Sequence, residues 1–341
     1  MKIEKIDFNK QQFHLKNVSR TFALTIPLLP NELIDYISNA YLLCRIADTI
    51  EDDPKLENMK KISWLKSFAQ FCENGFSDDM QLLSLHKSAL EYVENSAKPT
   101  ELELLKDMQS ILIRTRSFPK SVQQILSKGV SILSYGMSKF LKSIEIKNID
   151  DVDLYCYFVA GIVGELLAAL FYDYDKSIDK QKIMTLAVSF GEGLQLTNIL
   201  KDRFEDRQRD VSFLPNINEP KQDSLYYIGI CNGHLADAID FVCLIPKKNK
   251  GIRIFCLLNI LMAIFTLSKI YKEDLLGKTK VKITRRKVKF LYIASHLICS
   301  SNFLIKLFFT LASFSVKKIR RNPSALRNKV SCWEKVLKVY L

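Results

Sequence analysis

Residues 31–53 read NELIDYISNAYLLCRIADTIEDD, one apolar period that ends in a run of acids. Leu33, Ile37, Tyr41 and Cys44 recur at intervals of three or four, and Ile46 and Ile50 carry the pattern on. That period is one apolar face of an α-helix. Asn31, just behind Pro30, is expected to cap the helix, and Pro54 to end it. The same period predicts helices near 59–74, 79–95, 101–115, 121–146, 151–172, 180–207, 221–246, 251–272 and 286–316. Alternating strand patterns are scarce, Gly-rich turns are few, and there is no internal repeat. Long helices with short joints predict an all-α fold, read as a single domain over residues 1–341.

Composition narrows the classes. The chain has 341 residues, 48% of them apolar, which excludes a disordered chain. Its formal net charge of +13 suits nucleic acid, an anionic membrane surface or an anionic small molecule. Much of the excess lies late, in KKNKGIR (247–253), KVKITRRKVK (280–289) and KKIRRNPSALRNK (317–329). Eight scattered cysteines form no CxxC pair, so free thiols in a reducing compartment are expected. Four scattered histidines offer no zinc spacing. The N-terminus MKIEKIDFNKQQF lacks the apolar run of a signal peptide. The longest apolar region, 290–316, is interrupted by His296, by Ser-Ser-Asn at 300–302 and by Lys306. Buried helices are the first expectation for it. A helix lying on a membrane is the second, because Lys-rich flanks follow.

The acidic residues carry the chemistry. Asp48, Glu51 and Asp52 stand at i, i+3 and i+4, and so do Asp202, Glu205 and Asp206 in DRFED. On a helix each triplet converges on one side, where like charges need solvent or a cation. Hard carboxylate oxygens suit Mg²⁺, which also favours phosphate oxygens. One triplet alone reads best as a solvated helix end. Two with the same internal spacing, each following an apolar helix, point to Mg²⁺ held against a diphosphate. Asp53 falls outside the spacing. Arg45 precedes Asp48 by three, and Arg20 adjoins the apolar run TFALTIPLLP; both guanidinium groups match phosphate oxygens. Gln195 and Asn198 precede Asp202 by seven and four residues, on the same side. The segment YCYFVAGIVGELLAALF (155–171) reads either as close helix packing through Gly161 and Gly164 or as a smooth wall for a long hydrocarbon. Tyr155 would stand at its polar end, where an aromatic face can steady a cation.

Taken together, SRTFA (19–23), YLLCRIADTIEDD (41–53), YCYFVAGIVG (155–164) and QLTNILKDRFED (195–206) resemble the squalene/phytoene synthase family. FCLLNILMAIFTLSKIY (255–271) and the VKI at 281–283 are more similar to its squalene synthase branch. The resemblance implies one isoprenoid-synthase-type bundle of helices around a deep central cavity; the apolar run and its basic flanks make residues 290–341 the region expected to face a membrane. It implies that Asp48, Glu51, Asp52, Asp202, Glu205 and Asp206 hold Mg²⁺, and that Ser19, Arg20, Arg45 and Asn198 bind the substrate diphosphates. Tyr41 and Gln195 would line the reaction centre, with Tyr155 assisting proton transfer or steadying a carbocation. The implied reaction joins two farnesyl diphosphates into presqualene diphosphate, which NADPH then reduces to squalene. No GxGxxG is present, and the resemblance places NADPH on a basic loop through Lys282, Arg285 and Asn198. Thr284 stands where the branch has an arginine.

Three outcomes therefore stay open: squalene synthesis; a relative that makes presqualene diphosphate, dehydrosqualene or phytoene without reduction; and a non-catalytic, membrane-associated helical protein. Nucleic acid is not expected, because phosphate-backbone recognition has no use for two carboxylate triplets. A cytoplasmic monomer in peripheral contact with an anionic membrane is the expectation for partners and location.

Overall fold

A computed structural model of the chain describes residues 6–19, 21–142, 145–209, 211–215 and 220–335. Every regular element among them is helical. Packing density divides the chain into two compact units, Met1–Ile144 with Cys332–Leu341, and Glu145–Ser331.

In the first unit the helices are α1 (Phe8–Val18), α2 (Asn31–Glu51), α3 (Asn58–Glu73), α4 (Asp79–Val93), α5 (Pro99–Lys106), α6 (Met108–Arg116) and α7 (Lys120–Phe140). Short turns at Phe22–Thr25 and Ile26–Leu28 lead into α2. Leu42, Leu43, Ile46, Ala47 and Ile50 of α2 are buried, as its apolar period requires. The expected Asn31 cap is corrected: Pro30 occupies the cap position, no side chain bonds there, and Asn31 already begins the helix. Proline fixes the backbone just ahead of a helix without needing the missing bond. The expected helix 101–115 is two helices, broken at Asp107, whose side chain accepts from His14 and Lys10 of α1. Helix α1 itself carries too few apolar residues to stand out in sequence; Gln11, His14 and Leu15 form its buried face.

The second unit contains α8 (Ile149–Tyr174), α9 (Lys180–Arg207), α10 (Pro220–Leu244), α11 (Lys250–Glu273), α12 (Arg285–Ile298), α13 (Asn302–Ser313) and α14 (Pro323–Val330). Helix α8 opens on a reciprocal capping box of Asn148 and Asp151, and loosens into a π-helical turn over Tyr157–Gly161. Between the readings of Gly161 and Gly164, the packing is close. A Cβ at Gly164 would lie 2.0 Å from the Ala187 carbonyl of α9, and one at Gly191 2.1 Å from the Ala160 carbonyl. Helices α8 and α11 are apolar enough by length to cross a membrane, yet 72% and 78% of their apolar windows are buried in the fold.

The expectation for 286–316 is corrected on two points. The region is two helices, because Ser300 and Ser301 interrupt it and Ser301 caps the second. Only one side of each is buried, through Leu291, Ala294, Ile305 and Phe309. All eight cysteines are free thiols.

Candidate active site

Helix α2 presents Tyr41, Arg45, Asp48 and Asp52 along the side opposite its buried residues. Arg45 reaches Asp48 at 3.6 Å and also pairs with Glu101 of α5, leaving its buried Nε without a partner. Burial lifts Asp48 to about 7 even with Arg45 beside it, Asp52 adding to the rise. Glu51 is lifted to about 8 by burial and by the charges of Asp52 and Asp48. This triplet is thus short of positive charge, and its three carboxylates are the hard-oxygen donor set Mg²⁺ prefers. Asp53 belongs to a different task. It accepts from the backbone N–H groups of Lys55 and Leu56 and from the Ser96 hydroxyl, closing the turn after α2.

Ser19 is buried and its hydroxyl accepts from the Phe22 amide at 3.0 Å, which fixes the turn before α2. The Tyr41 hydroxyl donates to the Val18 carbonyl at 3.3 Å, and burial raises its pKa. Arg20 lies outside the described residues.

In the second unit Gln195, Asn198, Asp202 and Glu205 share the outward side of α9, and Asp206 is buried. Here the chain supplies its own cations. Lys201 pairs with Asp202 at 3.1 Å, Arg209 with Asp206 at 2.9 Å, and Lys280 with Glu205. The Lys280 bond, with Lys282 adding charge, holds Glu205 below its ordinary range, whereas burial raises Asp206. One buried oxygen of Glu205 keeps no partner, so the set retains room for a cation. Asn198 is exposed and accepts from Lys201 at 3.3 Å. Tyr155 is buried on α8, its ring stacked on Phe213 at 4.7 Å.

The basic loop is tied to this triplet by Lys280. Lys282 is exposed, and its carbonyl accepts from Lys269. Thr284, in the place of the expected arginine, caps α12 by accepting from the Lys287 amide at 3.2 Å, and Arg285 starts the helix. Beside it an open cleft of about 610 Å³ is lined by Lys269, Lys272, Thr284 and Lys287 over Phe265 and Phe308. Its lining thus combines three lysines, of which Lys269 pairs with Glu273, with aromatic rings that include Phe290.

Sequence spacing missed one further cluster. Asp153 of α8, Glu192 of α9 and His234 of α10 bring ligand atoms within 4.8 Å of one another, all buried, and form a candidate metal-coordinating triad. Burial holds His234 neutral, down to about 3, and raises Glu192. Arg321 forks onto both oxygens of Asp153, while one oxygen of Glu192 and Nδ1 of His234 keep no partner. The three residues lie far apart in the chain, and only the helix packing brings them together. A mixed nitrogen and oxygen set with an arginine attached differs from the all-carboxylate triplets.

Comparison with known proteins identifies the family and the fold. The family model for squalene/phytoene synthase matches residues 15–218. Botryococcus squalene synthase from Botryococcus braunii is 26% identical over 303 residues, 82% of this chain and 61% of the relative. Squalene synthase of Mus musculus is 27% identical over 292 residues, 80% of this chain and 66% of the relative. The alignments thus cover a little under two thirds of these relatives' length. A solved structure of TcSQS with the ligand BPH1237 shares the fold at TM-score 0.75 and 22% identity, over 94% of this chain and 96% of that one. A dehydrosqualene synthase in complex with ligand matches at TM-score 0.57 and 18% identity, over 84% and 94%. The chain belongs to the squalene/phytoene synthase family.

Proposed function

We propose that the chain is a squalene synthase, joining two farnesyl diphosphates to presqualene diphosphate and reducing that product to squalene. The observation that carries this reading is the pair of equally spaced carboxylate triplets, each at the end of an otherwise buried helix, with Asp206 the one carboxylate of the six that lies buried below the others. Asp48, Glu51 and Asp52, and likewise Asp202, Glu205 and Asp206, would hold Mg²⁺. Bound Mg²⁺ would neutralise the departing diphosphate. Arg45, through its unpartnered Nε, with Ser19, Arg20 and Asn198, would grip the diphosphate oxygens. Tyr41 and Gln195 would line the reacting carbons and exclude water, which would trap a carbocation. Tyr155, backed by Phe213, would turn an aromatic face to the positive charge. Lys282 and Arg285, with Asn198, would hold NADPH, which supplies the hydride.

The reading is tested by incubating the protein with farnesyl diphosphate and MgCl₂, with and without NADPH, and identifying products by mass spectrometry. Squalene that requires both additions is expected, as is loss of diphosphate release in Asp48→Asn and Asp202→Asn. Thr284 favours a second reading, because a capping threonine brings no charge where the branch has an arginine. Presqualene diphosphate or dehydrosqualene with NADPH present would replace the reductive reading by that one. Near-normal turnover in both aspartate variants would reject the metal assignment.

A further inference from the structure

The outer sides of α12 and α13 carry an apolar stripe. On α12 it consists of Phe290, Ile293 and Leu297, spaced three and four apart. On α13 it continues through Phe303, Leu304, Leu307 and Leu311 and ends at Phe314 just beyond the helix. Leu297 is 76% exposed, Phe303 72% and Phe314 87%. These eight are nearly half of the seventeen large apolar side chains exposed among the described residues. An ordinary surface helix turns polar residues outward. Here the inner side is apolar and packed, and the outer side is apolar and uncovered by any described residue.

The charge around the stripe identifies its partner. Residues 275–333 contain fourteen lysines and arginines and no acidic residue; Lys280, Lys306, Arg320, Arg321, Arg327 and Lys329 pair with carboxylates elsewhere in the second unit, and the other eight carry the excess. Arg286 and Lys289 flank the start of the stripe, and Lys317 and Lys318 follow Phe314. None of these four has an ion-pair partner among the described residues. A second copy of this chain would bring equal positive charge to the contact. A polyanion without apolar surface would leave the stripe in water. An anionic lipid leaflet satisfies both features, taking apolar side chains below its headgroups and cations at them.

We propose that α12 and α13 form a monotopic docking surface for an anionic bilayer, with the stripe inserted and the flanking cations at the headgroups. This binding needs no substrate, metal or catalytic residue, so it stands or falls apart from the proposed reaction. The full chain is sedimented with vesicles of phosphatidylcholine alone or mixed with phosphatidylglycerol, without substrate. Binding to the mixed vesicles is expected, much weaker on the neutral ones. Leu297→Asp/Phe314→Asp should weaken it by roughly tenfold or more, since two large apolar groups leave the membrane. Lys317→Gln/Lys318→Gln should weaken it and flatten its salt dependence. These side chains are exposed, so thermal unfolding of both double variants should match the parent and show that they fold. Parent-like binding by the aspartate variant overturns the proposal. So does a parent that ignores vesicles, or one that forms a dimer which Leu297→Asp/Phe314→Asp dissolves.

Discussion

At the scale of the residue, the first acidic triplet is a set of charges held at a cost. Asp48 near 7 and Glu51 near 8 stand above their ordinary values because burial and mutual repulsion disfavour ionisation. A carboxyl whose folded pKa is raised binds more protons folded than unfolded. Its contribution to stability is therefore full below about pH 4 and is lost as pH rises through 7 and 8. Mg²⁺ competes with those protons, so its stabilising effect should grow across the same window. At tenfold excess over its Kd, a ligand stabilises by about 1.4 kcal/mol, a shift of roughly 2 °C in Tm for a chain of this length. We expect MgCl₂ to raise Tm by more at pH 8 than at pH 5.5, where the second triplet with its lowered Glu205 still takes the metal, and Asp48→Asn to reduce the difference. Equal shifts at both pH values would show that the triplet does not take the metal. The spacing i, i+3, i+4 made these residues legible, because helical geometry converts it directly into proximity. It also set Asp53 aside, and the structure gives that side chain a turn to close. Glu101 could not be found this way, since it reaches Arg45 from another helix.

At the scale of the element, the existence of long helices was legible and their breaks were not. Periodicity reports an apolar face, and that face continues through a break when both halves pack on the same neighbours. Asp107 interrupts one predicted helix and Ser300–Ser301 another, in each case where polar side chains bond outside the ladder. The glycines of α8 were readable in two ways, and the contact between α8 and α9 decides for packing. Replacing a mid-helix glycine by alanine ordinarily stabilises by about 1 kcal/mol. At Gly164 the new methyl would stand 2.0 Å from a backbone carbonyl, which cannot rotate aside as a side chain can. Overpacking of that kind costs about 1–3 kcal/mol or more, so the sign reverses. Gly164→Ala should lower stability by about 2 kcal/mol in urea unfolding. Gly193→Ala, which meets a Leu235 methyl at 3.1 Å and the His234 Cβ and Leu235 nitrogen at 3.2 Å, should cost less than Gly164→Ala. An unchanged Gly164→Ala would mean that the helices can separate at that crossing.

At the scale of the whole molecule, what remained hidden was the way the late, basic part of the chain returns to the second unit. The Ile319 amide donates to the Gly229 carbonyl at 2.9 Å, and a Cβ at Gly233 would come within 2.1 Å of the Ile319 carbonyl. Arg327 and Ser331 bond to Glu165, fully buried in α8. Arg321 clamps Asp153 across 168 residues. In the sequence these arginines look like any others in a basic tail, because nothing local marks a cation that will meet a carboxylate so far away. Their burial makes them different in consequence. An exposed pair is worth under about 1 kcal/mol, whereas removing one partner of a buried pair costs about 3–5 kcal/mol. Asp153 is 2% exposed and burial already raises its pKa, so Arg321→Met should leave a buried carboxyl unpaired beside Glu192 and push it toward its protonated form. We expect that variant to lose about 3–5 kcal/mol in urea unfolding. Adding Asp153→Asn should restore part of the loss at neutral pH, because the amide needs no proton to stay neutral there. A loss below about 1 kcal/mol, or no recovery in the double variant, would mean that the pair behaves as a solvated one and that the late basic segment is held in place by its backbone contacts alone.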